Sequence, residues 1–156
     1  MPYKKPESVL VLVHTPNFQV LLLERANHSG FWQSVTGSLE GSESPAETAC
    51  RELKEETGLE ALPASLQDWH LSNRFEILPR WRDRYAPGVT YNTEHVFSFC
   101  TLSPVPVKLS SSEHSTQCWM DWREAAKRCF SWSNQDAILM LPQRLLISGH
   151  SSRQRP

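Results

Sequence analysis

Residues 37–59 read GSLEGSESPAETACRELKEETGL, and this spacing dictates a helix with two unlike faces. Ser44-Pro45-Ala46-Glu47 is a start signal: Ser44 caps free N–H groups, Pro45 suits the first helical position, and Glu47 completes a capping box. Gly58 suits the left-handed position just past the end. At about 100° per residue, Ala46, Ala49, Cys50, Leu53 and Thr57 gather on a side that can pack on a core. Glu52, Glu55 and Glu56 occupy a separate arc. Two like charges about 4 Å apart repel by roughly 4 kcal/mol at an effective dielectric near 20. Two things can offset this. One is solvation plus the i,i+4 pairs Glu47–Arg51 and Arg51–Glu55, since charge runs on helices are common solvated faces. The other is a divalent cation, Mg²⁺ or Mn²⁺, for which carboxylate oxygens are suited.

The run stands within a wider pattern. Gly37, Glu43, the run Arg51-Glu52-Leu53, the pair Glu55-Glu56 and the closing Gly58-Leu59 stand at fixed intervals. This pattern resembles the signature of the Nudix hydrolases at every fixed position. The resemblance implies an Mg²⁺-dependent pyrophosphohydrolase acting on a nucleoside diphosphate linked to another group. It also implies an α+β fold, a mixed β-sheet flanked by α-helices in an α/β/α sandwich. There is one departure: the glycine usual just before the first Glu stands one place earlier, at Gly41, and Ser42 precedes Glu43. No carboxylate is lost.

With 156 residues, a single domain over residues 1–147 is expected, followed by a disordered tail over 148–156. A net charge of −1 makes no electrostatic case for a nucleic-acid polymer or a membrane surface, and no apolar run approaches a membrane span. The apolar run after Lys4-Lys5 is too short, and too soon followed by His14 and Pro16, for a good signal peptide. Cys50, Cys100, Cys118 and Cys129 lack metal or disulfide spacing and read as reduced thiols of a cytoplasmic protein. The six histidines form no ligand motif.

Along the chain, residues 8–14 and 19–23 read as a hairpin and 31–37 as a strand leading into the box, with Trp32 in the core or a pocket wall. Residues 66–77 read as one or two strands, and 79–88 as a basic aromatic loop whose Arg80, Arg82 and Arg84 either meet a polyphosphate or are solvated, the solvated reading being favoured for Arg80 and Arg82. Residues 94–102 alternate as a strand, and a short strand is expected at 105–109. A strand at 116–122 and a helix at 123–129 follow. A last helix is expected from about Gln135, capped by Ser133 or Asn134 and ended or kinked by Pro142.

Four further stretches resemble one branch of the family, the bacterial dihydroneopterin triphosphate pyrophosphatases of folate synthesis. They are Tyr3-Lys4-Lys5-Pro6, FWQSVTGSLE from Phe31, RYAPGVTYNTE from Arg84, and SWSN from Ser131 followed by Ala137-Ile138. The likeness covers roughly residues 3–138. It implies metal ligands at Glu52, Glu56 and Glu113, with Glu55 in the same shell and the turn at Gly37 beside it. It implies catalysis by Glu52, Glu55 and Glu56, with Glu52 or Glu55 activating water. It also implies substrate contacts at Lys4, Arg25, Thr36, Phe75, Glu76, Ile77, Leu78 and Ser131, the match at Leu78 being weak because the relative is aromatic there. By position alone Arg25 reads as a surface charge ahead of a phosphate clamp. The expected partner is a small-molecule triphosphate handled by a monomer or homodimer: dihydroneopterin triphosphate, cut to the monophosphate and pyrophosphate, or else dATP, another dNTP or an oxidised nucleotide of the nucleotide pool. A non-catalytic binding module would be expected to have lost the box carboxylates, which are intact here.

Overall fold

The computed structural model describes residues 2–110 and 112–153. The central strand is β1 (Glu7–His14), and it is buried on both faces. It pairs in parallel with β6 (Tyr91–Cys100) along its whole length, from Glu7↔Thr93 to His14↔Cys100. On its other edge it meets β2 (Gln19–Arg25) only at His14↔Val20. Its first half there pairs with β4 (Val35–Ser38), from Ser8↔Ser38 to Val11↔Val35. The two-residue strand β3 (Trp32–Gln33) and β7 (His114–Asp121) both pair with β2, and β5 (Gln67–Glu76) closes the far edge on β6. The sheet is therefore mixed.

Alternation along β1 sorts the core into two layers. Val9, Val11 and Val13 face Ala49 and Leu53 of α1 (Pro45–Thr57). Leu10 and Leu12 face Ala125 and Ala126 of α2 (Trp122–Arg128), and Ile138 and Leu141 of α3 (Trp132–Arg153). Burial on both faces explains why β1 is a continuous apolar run without polar alternation. The result is the expected α/β/α sandwich. No helix among the described residues is long and apolar enough to cross a membrane.

Several elements differ from expectation for local reasons. Residues 105–109 are not a strand, because Pro104 and Pro106 remove the donors a ladder needs. Side chains hold the segment instead: Gln117 brackets Val107 through its N–H (2.9 Å) and C=O (2.7 Å). Part of the basic loop is a 3₁₀ helix, Pro79–Arg84. Arg82 there is bound by Glu76 and by the Ile77 carbonyl, and Arg80 lies over the Phe31 and Trp81 rings, so neither is merely solvated. Pro142 sits inside α3 without ending it. No proline follows until Pro156, and the helix runs to Arg153, into the stretch expected to be a disordered tail. Residues 154–156 lie outside the described residues.

The helix α3 also begins earlier than expected. Ser131, not Ser133 or Asn134, receives the Asn134 N–H on its hydroxyl (3.2 Å). Asn134 has another task. Its side chain accepts from the Ser34 N–H (2.8 Å) and donates to the Ser34 hydroxyl (3.0 Å), tying α3 to the break between β3 and β4. Both residues are about 1% exposed. Asn134→Ala strands two buried polar groups and should destabilise the fold by about 3 kcal/mol, measured by urea unfolding. A loss below about 1 kcal/mol would mean that this link does not hold the two segments together.

Candidate active site

The capping box and the left-handed Gly58 form as the local spacing dictates, so α1 starts and stops at defined points. Its carboxylates then separate. Glu52 and Glu56, one turn apart, are buried at 8% and 2% exposure. Glu55 is half-exposed and turns away toward Arg51 (3.3 Å). The arc that the helical spacing groups together is cut by the angle at which α1 lies on the sheet.

Arg51 holds the nearer carboxylate in place. Its guanidinium clasps Glu43 with two bonds (2.7 and 3.0 Å), reaches Glu52 (2.7 Å), and donates to the Ser38 carbonyl (3.0 Å). The bond from Arg51 pulls the Glu43 carboxyl down to about 2. The expected Glu47–Arg51 pair is replaced by Glu43–Arg51, because Glu47 is engaged by the Ser44 N–H in the capping box. Across from Arg51, Glu52 lies over the bare backbone of Gly37, where a Cβ would stand 2.2 Å from the Glu52 carboxyl carbon.

Burial raises the pKa of both buried carboxyls. Glu56 goes well above the ordinary range, pushed further by its hydrogen bond to Glu52 and by the charges of Glu52 and Glu113. Its Oε1 has no partner among the described residues. His114 Nε2 is 3.8 Å away, but burial and then Arg25 lower that imidazole to about 4, so it is neutral and forms no ion pair.

Both carboxylates open into a cavity of about 1030 Å³. Lys4, Arg25, Thr36, Gly37, Phe75, Glu76, Ile77, Leu78, Glu113 and Ser131 all line it; Glu55 does not. Solvent reaches Lys4, yet the protein surrounding it lowers its pKa, followed by the charges of Arg84 and Arg25. Burial and then Arg84 lower Arg25 as well. Three cations crowded at one wall suit it to an anionic ligand. Thr36 contributes its backbone N–H to Glu56. Ser131 lines the wall while its hydroxyl caps α3, so its expected substrate contact has a structural duty beside it.

The wall beside these cations is aromatic. Phe31 stacks on Phe130 with ring centroids 4.0 Å apart, and Trp81 meets both edgewise. Arg25 lies over the Trp81 ring at 5.2 Å, joining the cationic and aromatic walls. Trp32 packs on the core instead, and Phe31 is the wall residue. Sequence reasoning missed Phe130 and Trp81 as wall residues and gave no site role to Asn92, Glu94 and Ser133, which also line the cavity.

Of the expected metal ligands, Glu52, Glu56, Glu113 and the Gly37 turn reach one cavity and Glu55 does not, and no three His, Cys, Asp or Glu side chains cluster tightly enough to close a shell among the described residues. The chemistry nevertheless fits a hard divalent cation. Two adjacent carboxylates are buried, one has an oxygen with no partner, and no guanidinium or ammonium contacts that oxygen.

A family model described as "NUDIX domain" matches residues 4–140. The chain belongs to the Nudix family. It is 41% identical over 139 residues to the dihydroneopterin triphosphate diphosphatase of Escherichia coli K12, covering 87% of this chain and 91% of that one. The Haemophilus influenzae protein of the same name is also 41% identical, over 143 residues and 88% of each chain. Among solved structures, the E. coli dihydroneopterin triphosphate pyrophosphohydrolase superposes with a TM-score of 0.82 at 39% identity, covering 88% of this chain and 95% of that one. A Listeria monocytogenes Nudix structure shares the fold at 24% identity, with a TM-score of 0.74. This Nudix protein is a hydrolase with the mixed sheet and flanking helices of its family.

Proposed function

We propose that this Nudix hydrolase cleaves 7,8-dihydroneopterin triphosphate to dihydroneopterin monophosphate and pyrophosphate in the cytoplasm, using Mg²⁺ or Mn²⁺. The observation that carries the reading is the division of one cavity into a cationic wall, a buried carboxylate pair and an aromatic wall. That division matches a triphosphate, a reacting centre and a flat heterocycle. The relatives named for this reaction support the choice of heterocycle. The four cysteines are unpaired, in keeping with a reducing compartment.

Glu52, Glu56 and Glu113, beside the Gly37 turn, would hold the cation. Bound there, it supplies charge neutralisation and a lowered pKa for water. Lys4, Arg25 and Arg84 bind the phosphate oxygens, and their crowding is relieved by the anion they receive. Glu52 faces the cavity with a raised pKa and takes the proton from the attacking water. Arg51 positions Glu52, and Glu55 acts only through Arg51. The water oxygen bonds to phosphorus, a phosphoanhydride bond breaks, and pyrophosphate leaves.

The test compares Mg²⁺-dependent pyrophosphate release from dihydroneopterin triphosphate and from dATP. The expected result is a higher kcat/KM for the pterin. A hundredfold preference for dATP would replace this reading with nucleotide-pool hydrolysis, and no release from either would point to a binding module.

A further inference from the structure

One face of the sheet changes character as it enters the cavity. Leu10 and Val96, paired across β1 and β6, are apolar and lie in the core beneath α3. Two residues earlier on the same face stand Ser8 and Glu94, again paired, and two before Glu94 stands Asn92. Asn92 and Glu94 are 3% and 5% exposed.

Their hydrogen bonding is half complete in the same sense. Asn92 donates through Nδ2 to the Ser8 hydroxyl (2.8 Å), which leaves Oδ1 free. Glu94 receives a bond from Ser133, at the start of α3, which leaves Oε1 free. Two buried acceptors without partners among the described residues therefore sit side by side in the cavity wall. Neither has a cation against it, and burial pushes the Glu94 carboxyl up to about 7. Such a pair asks for a ligand that brings donors, because an unpaired buried acceptor is unfavourable.

We propose that Asn92 and Glu94 select the substrate's heterocycle by accepting hydrogen bonds from an edge with adjacent N–H and NH₂ donors, held in place by Ser8 and Ser133. This rests on the reading that the cavity binds a pterin triphosphate. A 2-amino-4-oxo pyrimidine ring, as in a pterin or guanine, offers a ring N–H beside an exocyclic amine, and a carboxylate can accept both. Adenine offers a ring acceptor beside its amine, which would face Glu94 lone pair to lone pair. Hypoxanthine keeps the ring N–H and lacks the 2-amino group. The aromatic wall alone would take any of these rings, so Asn92 and Glu94 supply the discrimination.

The test measures hydrolysis of dihydroneopterin triphosphate, dGTP, dITP and dATP by the wild type, Glu94→Gln and Ser133→Ala, with thermal unfolding of each variant. Glu94→Gln places a donor against the ligand's donors. It should raise KM for dihydroneopterin triphosphate by about 30-fold or more with kcat changed by less than about threefold, and collapse the preference for dGTP over dITP. Ser133→Ala frees Glu94 without removing it and should move KM the same way by a smaller factor, which decides the matter if the Gln variant does not fold. An unchanged KM together with an unchanged dGTP-to-dITP ratio would overturn the proposal. Failure of the pterin substrate is distinguishable: a wild type that ignores dihydroneopterin triphosphate but loses its dGTP preference in Glu94→Gln keeps the donor-edge reading and loses the pterin. If the nucleotides are not cleaved, the pterin KM alone decides. A wild type that cleaves none of the four overturns both.

Discussion

Glu56→Gln should reduce turnover by about 10³-fold while leaving the folded protein at least as stable as the wild type. Glu56 is 2% exposed, its pKa is raised well above the ordinary range by burial, and one oxygen has no partner among the described residues. The amide has the same shape and no charge to desolvate, so the substitution does not burden the core. What it removes is anionic charge at the floor of the cavity. Two measurements check this: steady-state turnover at saturating Mg²⁺, and the melting temperature with and without Mg²⁺. The wild type should gain stability from the cation, because a ligand bound only to the folded state stabilises it, and the variant should gain little. Near-normal turnover would remove Glu56 from the chemistry. A large fall in stability without Mg²⁺ would recast it as a structural residue.

Most of α1 is legible in the sequence because its signals are local. Ser44, Pro45, Glu47 and Gly58 each act within one turn, and each does what its spacing dictates. The separation of Glu52 and Glu56 from Glu55 is not local. The three share an arc of the helix, and only the rotation of α1 against β4 decides which of them enter the cavity. Asn92 and Glu94 were hidden for a related reason. Reading the strand from Glu94 leaves Asn92 in a loop. The inward direction of both becomes visible only when β6 pairs in parallel with β1, more than eighty residues earlier. Lys4, Arg25 and Arg84 converge from three separate segments, so their crowding has no signature in spacing, and the resemblance to the pterin branch, though it takes in all three, implied substrate contacts only at the first two. The false strand at residues 105–109 is a different kind of error. Pro104 and Pro106 spoke against it in the sequence itself.

Gly37→Ala should separate position from stability. The new Cβ would stand 2.2 Å from the carboxyl carbon of Glu52, 2.3 Å from its Oε1 and 2.6 Å from its Cγ. All three atoms belong to the outer part of a flexible side chain, so the backbone can stay where it is and the carboxylate must move. Overpacking of this kind costs about 1–2 kcal/mol. The functional loss should be far larger, because displacement also pulls Glu52 from Arg51, which holds it at 2.7 Å. A shift of about 1 Å in a reacting group lowers activity roughly 10²-fold, and that is the fall expected in kcat. Gly58→Ala is the control. Gly58 ends α1 at a φ of 78°, and a Cβ there meets only Lys108 at 3.4 Å, so the substitution strains the backbone at the helix end without touching Glu52. Its cost in stability, about 1 kcal/mol, should resemble that of Gly37→Ala, with kcat within about twofold of wild type. Equal losses of activity in the two variants would mean that Gly37 matters only to folding. A large loss in Gly37→Ala alone would show that the missing side chain exists to let Glu52 lie against the backbone.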